Sequence, residues 1–119
     1  MATNPGPIRG EVWLIQFDPS VGAEIRKVRP AVVLSLDDIG RLPLKVVAPI
    51  TAWSSDFAKL PWFVFLPATA GNGLAKDSAA DAFQVKSISL SRFVRKLGAA
   101  TEREVEEIAA AVSLCIGLP

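Results

Sequence analysis

The sequence predicts a mainly β fold in which a small, strongly bent antiparallel sheet or barrel is covered by one C-terminal helix. Several short apolar runs rich in β-branched and aromatic residues follow one another, turn residues separate them, and only the last segment has helical periodicity. The chain has 119 residues, half of them apolar, and no low-complexity linker divides it. We therefore expect a single domain over residues 1–119, with a flexible lead at 1–7 and the fold at 8–118.

The first half of the chain contains three predicted strands. Residues 9–17 alternate imperfectly between apolar and polar and are rich in β-branched and aromatic side chains, as is typical of a strand. After a loop with several turn residues, Pro30 opens the second strand, since proline is tolerated where its missing N–H lies outside the ladder. The third strand covers residues 44–51, and its Pro49 favours an edge strand or a bulge.

The second half contains further strands of weaker pattern. Strands are predicted at residues 62–67 and 94–99, and at 78–85 despite alanines that disfavour this conformation. Residues 87–93 are expected to hold one helical turn.

The last segment is predicted to be a helix. Thr101 and Glu104 have the spacing of a capping box, in which each side chain binds the backbone N–H of the other residue. The apolar positions of one helix face follow at helical spacing and end before a glycine: Val105, Ile108, Ala109, Val112 and Ile116.

Composition narrows the possible chemistry. The chain has no histidine, which removes the commonest general base and metal ligand, and Cys115 is its one cysteine. These counts exclude Ser-His-Asp and Cys-His sites and argue against zinc and against an internal disulfide. We expect no cofactor. A net charge of +1 argues against binding of nucleic acid by bulk attraction, so any such binding must be local.

Nothing in the sequence indicates export or a membrane. The start lacks a charged segment followed by an apolar one, and no apolar run approaches the roughly 18 residues that span a bilayer. We expect a cytoplasmic protein. A domain of this size often gains stability by pairing, which favours a homodimer.

The densest basic cluster, formed by Arg26, Lys27 and Arg29, stands directly before Pro30. A basic run in a loop is most often a solvated surface. Arg29 differs because a residue before proline is held extended, which places its guanidinium at the rim of the sheet, and a planar guanidinium binds two phosphate oxygens at once. Thr51 ends the third strand and would approach Arg29 if the second and third strands pair antiparallel, although such a threonine is usually only a good strand residue.

Several motifs together resemble one family. An Arg-Gly-acidic strand start, an Asp-Pro-x-x-Gly-x-Glu loop and Arg-Pro before an apolar run are carried by Arg9, Gly10, Glu11, Asp18, Pro19, Gly22, Glu24, Arg29 and Pro30. The sequence "PIT" ends the third strand, and "FQVKSISLSRFVRKLG" is similar to a Gln-x-Arg-x-Ile-Asp-x-x-Arg-Leu segment. Over residues 8–118 the chain resembles the MazF/PemK family of toxin endoribonucleases. The resemblance implies an SH3-like barrel of the MazF/CcdB toxin type, with a C-terminal helix, and a homodimer.

The resemblance also implies a function. The chain would be the toxin of a type II toxin–antitoxin system that cleaves single-stranded RNA at specific sequences without metal, inhibited by an antitoxin with an acidic disordered tail. Attack by the neighbouring 2′-hydroxyl would leave a 2′,3′-cyclic phosphate and a 5′-hydroxyl. By the family pattern Arg29 and Thr51 form the catalytic pair. Since arginine is always protonated, we consider Glu24 as base or orienting group, against the alternative that it pairs with Arg26 or Lys27.

Further residues are candidates for RNA binding: Arg26, Lys27, Trp53, Ser78, Gln84 and Lys86. Trp53 would stack on an unpaired base or anchor its loop, whereas Trp13 and Trp62 lie in strand patterns and are expected in the core or an interface.

The chain departs from the family pattern at four positions. Asp81 and Phe83 stand where one branch has a catalytic Arg and Asp, Lys86 replaces an arginine, and Ser89 replaces an acid.

Two other functions remain open. One is a non-catalytic member of the same fold that only binds RNA or a partner. The other, less favoured, is a CcdB-like gyrase poison. Such toxins rely on a Trp-Gly-Ile tail, whereas residues 116–119 here read Ile-Gly-Leu-Pro.

Overall fold

The computed structural model describes residues 6–40 and 42–118. Residues 1–5 of the predicted flexible lead lie outside this part of the chain. Within it, the chain forms seven strands and one α-helix: β1 (Glu11–Gln16), β2 (Val28–Val33), β3 (Leu44–Ala52), β4 (Phe63–Leu66), β5 (Ser78–Asp81), β6 (Lys86–Ser89), β7 (Phe93–Ala99) and α1 (Glu102–Cys115). Single 3₁₀ turns cover Ser55–Lys59, Ala82–Gln84 and Leu90–Arg92. The predicted class, mainly β with a C-terminal helix, is confirmed.

The described strands pair antiparallel throughout, in the order β4-β5-β3-β2-β1-β7, and β6 also pairs with β3. Strand β3 is therefore central. Its first half pairs with β6 up to Val47, and its last half pairs with β5 from Ile50 onward. The prediction that Pro49 marks an edge is wrong: this proline is buried and stands opposite Ala31 of β2. It lies where β3 leaves β6 and joins β5, and there a missing N–H interrupts no ladder.

Three other predictions differ in part from the structure. Strand β2 begins at Val28, so Pro30 does not open it but lies inside it, opposite Leu14 of β1. The strand expected at 78–85 stops at Asp81, because the Asp81 carboxylate accepts the N–H of Phe83 and starts a 3₁₀ turn. The helical turn expected within 87–93 is present as the 3₁₀ turn Leu90–Arg92, but the residues before it belong to strand β6. Pairing of β6 with β3, which lies far away in the sequence, outweighs the local pattern.

The bent sheet buries both of its faces. Alternate residues of β2 and β3 point into two apolar clusters, as the two-residue period of a strand requires. Val32 and Ile50 belong to the cluster beneath α1, with Val105 and Ile108 of the helix. The residues of β2 and β3 that point to the opposite face join residues of β1, of β6 and of the loop after β1 in the second cluster: Ile15, Phe17, Ala31, Val33, Val47 and Ile88.

Helix α1 has the predicted capping box. The Thr101 hydroxyl accepts the N–H of Glu104 at 3.1 Å, and the Glu104 carboxylate accepts the N–H of Thr101 at 2.9 Å. The buried face differs in part from the prediction, because Ala111 is buried while Ile116 is exposed beyond the end of the helix. No helix in the described part of the chain is long and apolar enough to cross a membrane.

A carboxylate at the start of β1 is tied to three groups. Glu11 accepts the N–H of Ile8 at 2.9 Å and the indole N–H of Trp13 at 3.0 Å, and it pairs with the Lys96 ammonium at 2.7 Å. Burial acts to raise the pKa of Glu11, but these hydrogen bonds and the Lys96 charge outweigh it and lower the pKa below its ordinary value.

Candidate functional site

Arg29 and Thr51 meet in one cleft. Strands β2 and β3 are antiparallel with Ala31 opposite Pro49, and the same register continued by two residues sets Arg29 opposite Thr51. Both side chains line a cleft of about 140 Å³. The approach of the two residues required their strands to pair antiparallel, and the strands do so.

The opposite wall of this cleft comes from the loop before β5. Strand β5 pairs with the end of β3, with Ser78 opposite Ala52, and this pairing brings Lys76 to the cleft. Sequence reasoning missed Lys76, since a single lysine in a Gly-containing loop carries no distinguishing pattern. Among the described residues, the cleft is lined by two cationic side chains, Arg29 and Lys76, and by no carboxylate. This arrangement suits an anion.

The two residues facing the cleft from β2 and β3 have free polar groups. The Nε of Arg29 donates to the carbonyl of Arg26 at 3.3 Å, and among the described residues its two terminal nitrogens make no hydrogen bond. The Thr51 hydroxyl likewise has no hydrogen-bond partner within the described part of the chain. Because Pro30 restricts the backbone of Arg29, the guanidinium is held at the rim and can offer its planar fork to a ligand.

Ser78 lies in the same cleft but is buried, and its hydroxyl donates to the carbonyl of Lys76 at 2.8 Å. Its neighbour Asp77 accepts the N–H of Trp53 on its carbonyl and the N–H of Ala68 on its carboxylate. These bonds fasten the segment that carries Lys76 to the end of β3.

Three other predicted site residues, Glu24, Gln84 and Lys86, line a second cleft of about 250 Å³. Glu24 is thus not brought together with Arg29 and Thr51. Its carboxylate accepts the N–H of Val21 at 2.8 Å and closes a turn in the β1–β2 loop. Within the described residues, it forms an ion pair with neither of the basic residues beside it, at positions 26 and 27.

Gln84 uses both ends of its amide inside the protein. Its oxygen accepts the N–H of Ile25 at 2.6 Å, and its nitrogen donates to Asp81 at 3.1 Å. Asp81 is buried, and its other oxygen accepts the N–H of Phe83. Burial raises the pKa of Asp81, and the hydrogen bonds from Phe83 and Gln84 offset only part of that effect.

The two exposed cations of the basic cluster lie between the clefts. Arg26 and Lys27 follow Ile25 of the second cleft and precede Arg29 of the first. A terminal nitrogen of Arg26 donates to the carbonyl of Gly22 at 3.1 Å, while the Lys27 carbonyl accepts the N–H of Phe17. In the chain, two exposed cations thus stand between Ile25 of the second cleft and Arg29 of the first.

An aromatic row begins beside Thr51. The ring of Trp53 makes edge contacts with Phe57 and Phe65, at centroid distances of 5.9 and 4.9 Å. The row continues through Phe57, stacked on Phe63, to the rings of Trp62 and Phe83. Trp53 is partly buried and has the contacts of a loop anchor. Trp13 packs against the second core cluster.

In the described part of the chain, no three carboxylate, thiol or imidazole groups lie close enough together to hold a metal ion.

Comparison with known proteins identifies the family. A model of PemK-like, MazF-like toxins of type II toxin–antitoxin systems matches residues 8–116. Endoribonuclease MazF9 of Mycobacterium tuberculosis is 37% identical over 118 residues, which cover 92% of this chain and 96% of that protein. MazF of Deinococcus radiodurans has a solved structure with a TM-score of 0.79 at 25% identity, covering 94% and 97% of the two chains. A solved MazE–MazF structure from the same organism has a TM-score of 0.73 at 26% identity, and the match covers 96% of this chain and 98% of that chain. As its sequence motifs predicted, the chain belongs to the PemK-like, MazF-like toxin family.

Proposed function

We propose that the protein is the toxin of a type II toxin–antitoxin system and cleaves single-stranded RNA in the cleft between Arg29 and Thr51. The observation that carries the proposal is the meeting of Arg29, Thr51 and Lys76 around a small cleft without a carboxylate among its described lining residues. The endoribonuclease relative in M. tuberculosis supports it.

The reaction that suits this cleft uses a nucleophile supplied by the RNA. The 2′-oxygen attacks the adjacent phosphorus, the O2′–P bond forms, and the P–O5′ bond breaks. The 2′-hydroxyl loses its proton and the departing 5′-oxygen gains one, so the products are a 2′,3′-cyclic phosphate and a 5′-hydroxyl. Because the nucleophile is already positioned, the protein needs to stabilise the crowded phosphate and assist two proton movements, and neither a protein nucleophile nor a metal is required.

Each side chain of the cleft has a role in this reaction. The two terminal nitrogens of Arg29 bind the non-bridging phosphate oxygens and stabilise the charge that builds up on them. The Thr51 hydroxyl donates to a phosphate oxygen or relays a proton. Lys76 supplies a second positive charge from the opposite wall. Glu24 would act as base only after its carboxylate released the Val21 N–H, since it lies in the second cleft.

The RNA strand is proposed to run from the first cleft across Arg26 and Lys27 to the second, where Lys86 meets a further phosphate. Trp53 is anchored by Phe57 and Phe65, and a base that stacks on the part of its ring left exposed contributes about 1–3 kcal/mol. Of the other predicted RNA contacts, Ser78 and Gln84 support this path through bonds within the protein.

The proposed partners follow from the same surface. A homodimer is proposed, together with a cognate antitoxin whose acidic segment covers the basic groove; solved MazE–MazF assemblies of relatives support the pairing. The conformational entropy lost when a disordered tail orders on the toxin is offset by the large surface that the tail covers. We also propose a cytoplasmic location.

One experiment tests the activity. Purified protein is incubated with a long single-stranded RNA in EDTA, the new 5′ ends are mapped, and the 3′ ends are analysed for cyclic phosphate. We expect cleavage at a short recurrent sequence, with 5′-hydroxyl ends, that the Arg29→Ala variant loses. Cleavage only after magnesium is added would contradict the mechanism. Intact RNA with tight binding would favour the non-catalytic function.

A further inference from the structure

The β1–β2 loop, residues 17–27, carries Arg26 and Lys27 but contains no helix or strand. One long-range hydrogen bond fastens its second half to the body of the protein. The N–H of Ile25 donates to the side-chain oxygen of Gln84 at 2.6 Å, across 59 positions of sequence. Next to this bond, the Ile25 carbonyl accepts the hydroxyl of Ser20 at 2.6 Å, and the Ile25 side chain packs against the second core cluster. Ile25 is therefore the point at which the loop is anchored.

Asp81 determines which way the Gln84 amide faces. A glutamine amide can present either its oxygen or its nitrogen to a neighbour, and only the oxygen can accept the N–H of Ile25. An ionised carboxylate only accepts, so Asp81 draws the Gln84 nitrogen toward itself and leaves the oxygen facing Ile25. The second oxygen of Asp81 is occupied by the N–H of Phe83. Because Asp81 is 7% exposed, little water competes for these positions.

The anchored loop in turn supports the catalytic arginine. Arg26 directly follows Ile25, and its carbonyl accepts the Nε of Arg29 at 3.3 Å. Hydrogen bonds thus join Asp81 to Gln84 and Gln84 to Ile25. The peptide bond leads from Ile25 to Arg26, whose carbonyl is hydrogen-bonded to the guanidinium of Arg29.

We propose that Asp81 and Gln84 are positioning residues that hold the basic loop and aim the guanidinium of Arg29 at the reacting phosphate. The inference rests on the proposed RNA cleavage. It assigns a role to Asp81, and it gives Gln84 a role that requires no contact to a base. Releasing the loop would displace Arg29, and a displacement of about 1 Å in a catalytic group costs on the order of 10²-fold in rate.

The decisive variant is Gln84→Glu. Glutamate keeps the length of the side chain and the acceptor for Ile25, but it sets a second carboxylate against Asp81. Two carboxylates at hydrogen-bond distance hold one proton between them and lose it only at raised pH. While that proton is present, the introduced carboxyl group donates to Asp81 and the loop stays anchored. Once it is lost, the pair repels and the loop is released.

The measurement is the cleavage rate of each variant divided by that of the wild type at the same pH. For Gln84→Glu we expect this ratio to be near one at about pH 5 and to fall on the order of 10²-fold toward about pH 8. For Gln84→Ala it should be low at every pH. Glu24 and Lys86 share the cleft with Gln84, and Cys115 of α1 is close enough to Asp81 for that charge to add to burial in raising the thiol pKa. These groups are unchanged and cancel in the ratio. A ratio for Gln84→Glu that does not vary with pH would overturn the inference.

Asp81→Asn separates positioning from direct RNA contact. The substitution keeps the shape but turns one accepting oxygen into a donor, which must then face the N–H of Phe83 or the amide nitrogen of Gln84. A buried group touches no RNA, so a loss of cleavage must act through the loop. We expect the losses of Asp81→Asn and Gln84→Ala not to multiply in the double variant. Multiplying losses would show that Gln84 acts on RNA independently, contrary to the proposal.

The control is Ser35→Ala, which removes the side-chain acceptor of the Val46 N–H near the far end of β3, outside the basic loop, and should cleave RNA like the wild type. Amide exchange of Ile25 provides a readout without RNA: it should accelerate in Gln84→Ala while the global melting temperature is nearly unchanged. If the wild type does not cleave RNA, the proposed function fails while this exchange still tests the anchor. If the wild type cleaves and Gln84→Ala cleaves equally well, the inference fails alone.

Discussion

Removing the guanidinium of Arg29 should abolish most of the catalysis while leaving the fold intact. In the Arg29→Ala variant the cleft loses a lining guanidinium whose two terminal nitrogens make no hydrogen bond within the described residues, whereas Lys76 still provides one positive charge. A hydrogen bond to a charged group contributes about 1.5–3 kcal/mol, so two such bonds to the reacting phosphate correspond to roughly 3–6 kcal/mol. At about 1.4 kcal/mol for each tenfold change, the rate should fall by roughly 10²- to 10⁴-fold.

The effect on stability should be much smaller. Within the described residues, the side chain of Arg29 makes one hydrogen bond, a long one to the Arg26 carbonyl at a solvent-exposed position. Its loss should change the free energy of unfolding by about 1 kcal/mol or less. Thr51→Ala, which likewise removes a rim group without a partner in the described part of the chain, should also lose activity with little loss of stability.

The assay is single-turnover cleavage of a labelled RNA oligonucleotide that contains the mapped site, with urea unfolding of each variant in parallel. Arg26→Ala is the matched control, since it removes the same charge three positions away, where the side chain's one hydrogen bond within the described residues is to the Gly22 carbonyl. It should weaken RNA binding at low salt and leave the rate at saturation nearly unchanged. If Arg26→Ala costs as much rate as Arg29→Ala, the cluster acts as diffuse charge and the role given to the residue before Pro30 is wrong.

Three further results are expected. Lys76→Ala should slow cleavage and lower the slope of log Kd against log salt for a non-cleavable RNA by about 0.7. The control Lys45→Ala, at the opposite end of β3, should change neither the rate nor the slope. If Lys76→Ala has the same slope as the wild type, Lys76 makes no phosphate contact. The pKa of Glu11 is lowered in the fold, so its contribution to stability is complete above its ordinary value of 4.5 and lost as the pH falls through the folded pKa. Urea unfolding should therefore show a gap between wild type and Glu11→Gln that is constant near neutrality and closes in acid; a gap that widens in acid would contradict the sign. Gly73→Ala should lower the free energy of unfolding by at least about 1–3 kcal/mol, because the backbone has φ +68° and a Cβ would lie 2.2 Å from the Leu97 carbonyl oxygen; unfolding at the wild-type urea concentration would refute this.

Local patterns in the sequence were sufficient for several features of the protein. The capping box of α1 depends on residues three positions apart, and both of its hydrogen bonds are present. The extended backbone of Arg29, which lies in β2, follows from the proline beside it. The mainly β class and the family follow from alternating apolar runs and from motifs that are contiguous in the chain. In each case the physical cause acts between near neighbours, so the sequence displays it directly.

Tertiary structure decided the composition of the cleft and the support behind it. Lys76 lines the same cleft as Arg29 because β5 pairs with the end of β3, and Glu24 lies in a different cleft although it stands only five positions before Arg29. Pairing between distant strands also makes Pro49 central and forms β6 directly before the 3₁₀ turn Leu90–Arg92. The hydrogen bond from Ile25 to Gln84 spans 59 positions, and no local propensity selects the partner of such a bond. These contacts depend on which strands pair and in which register, and that is fixed only when both faces of the sheet are buried together.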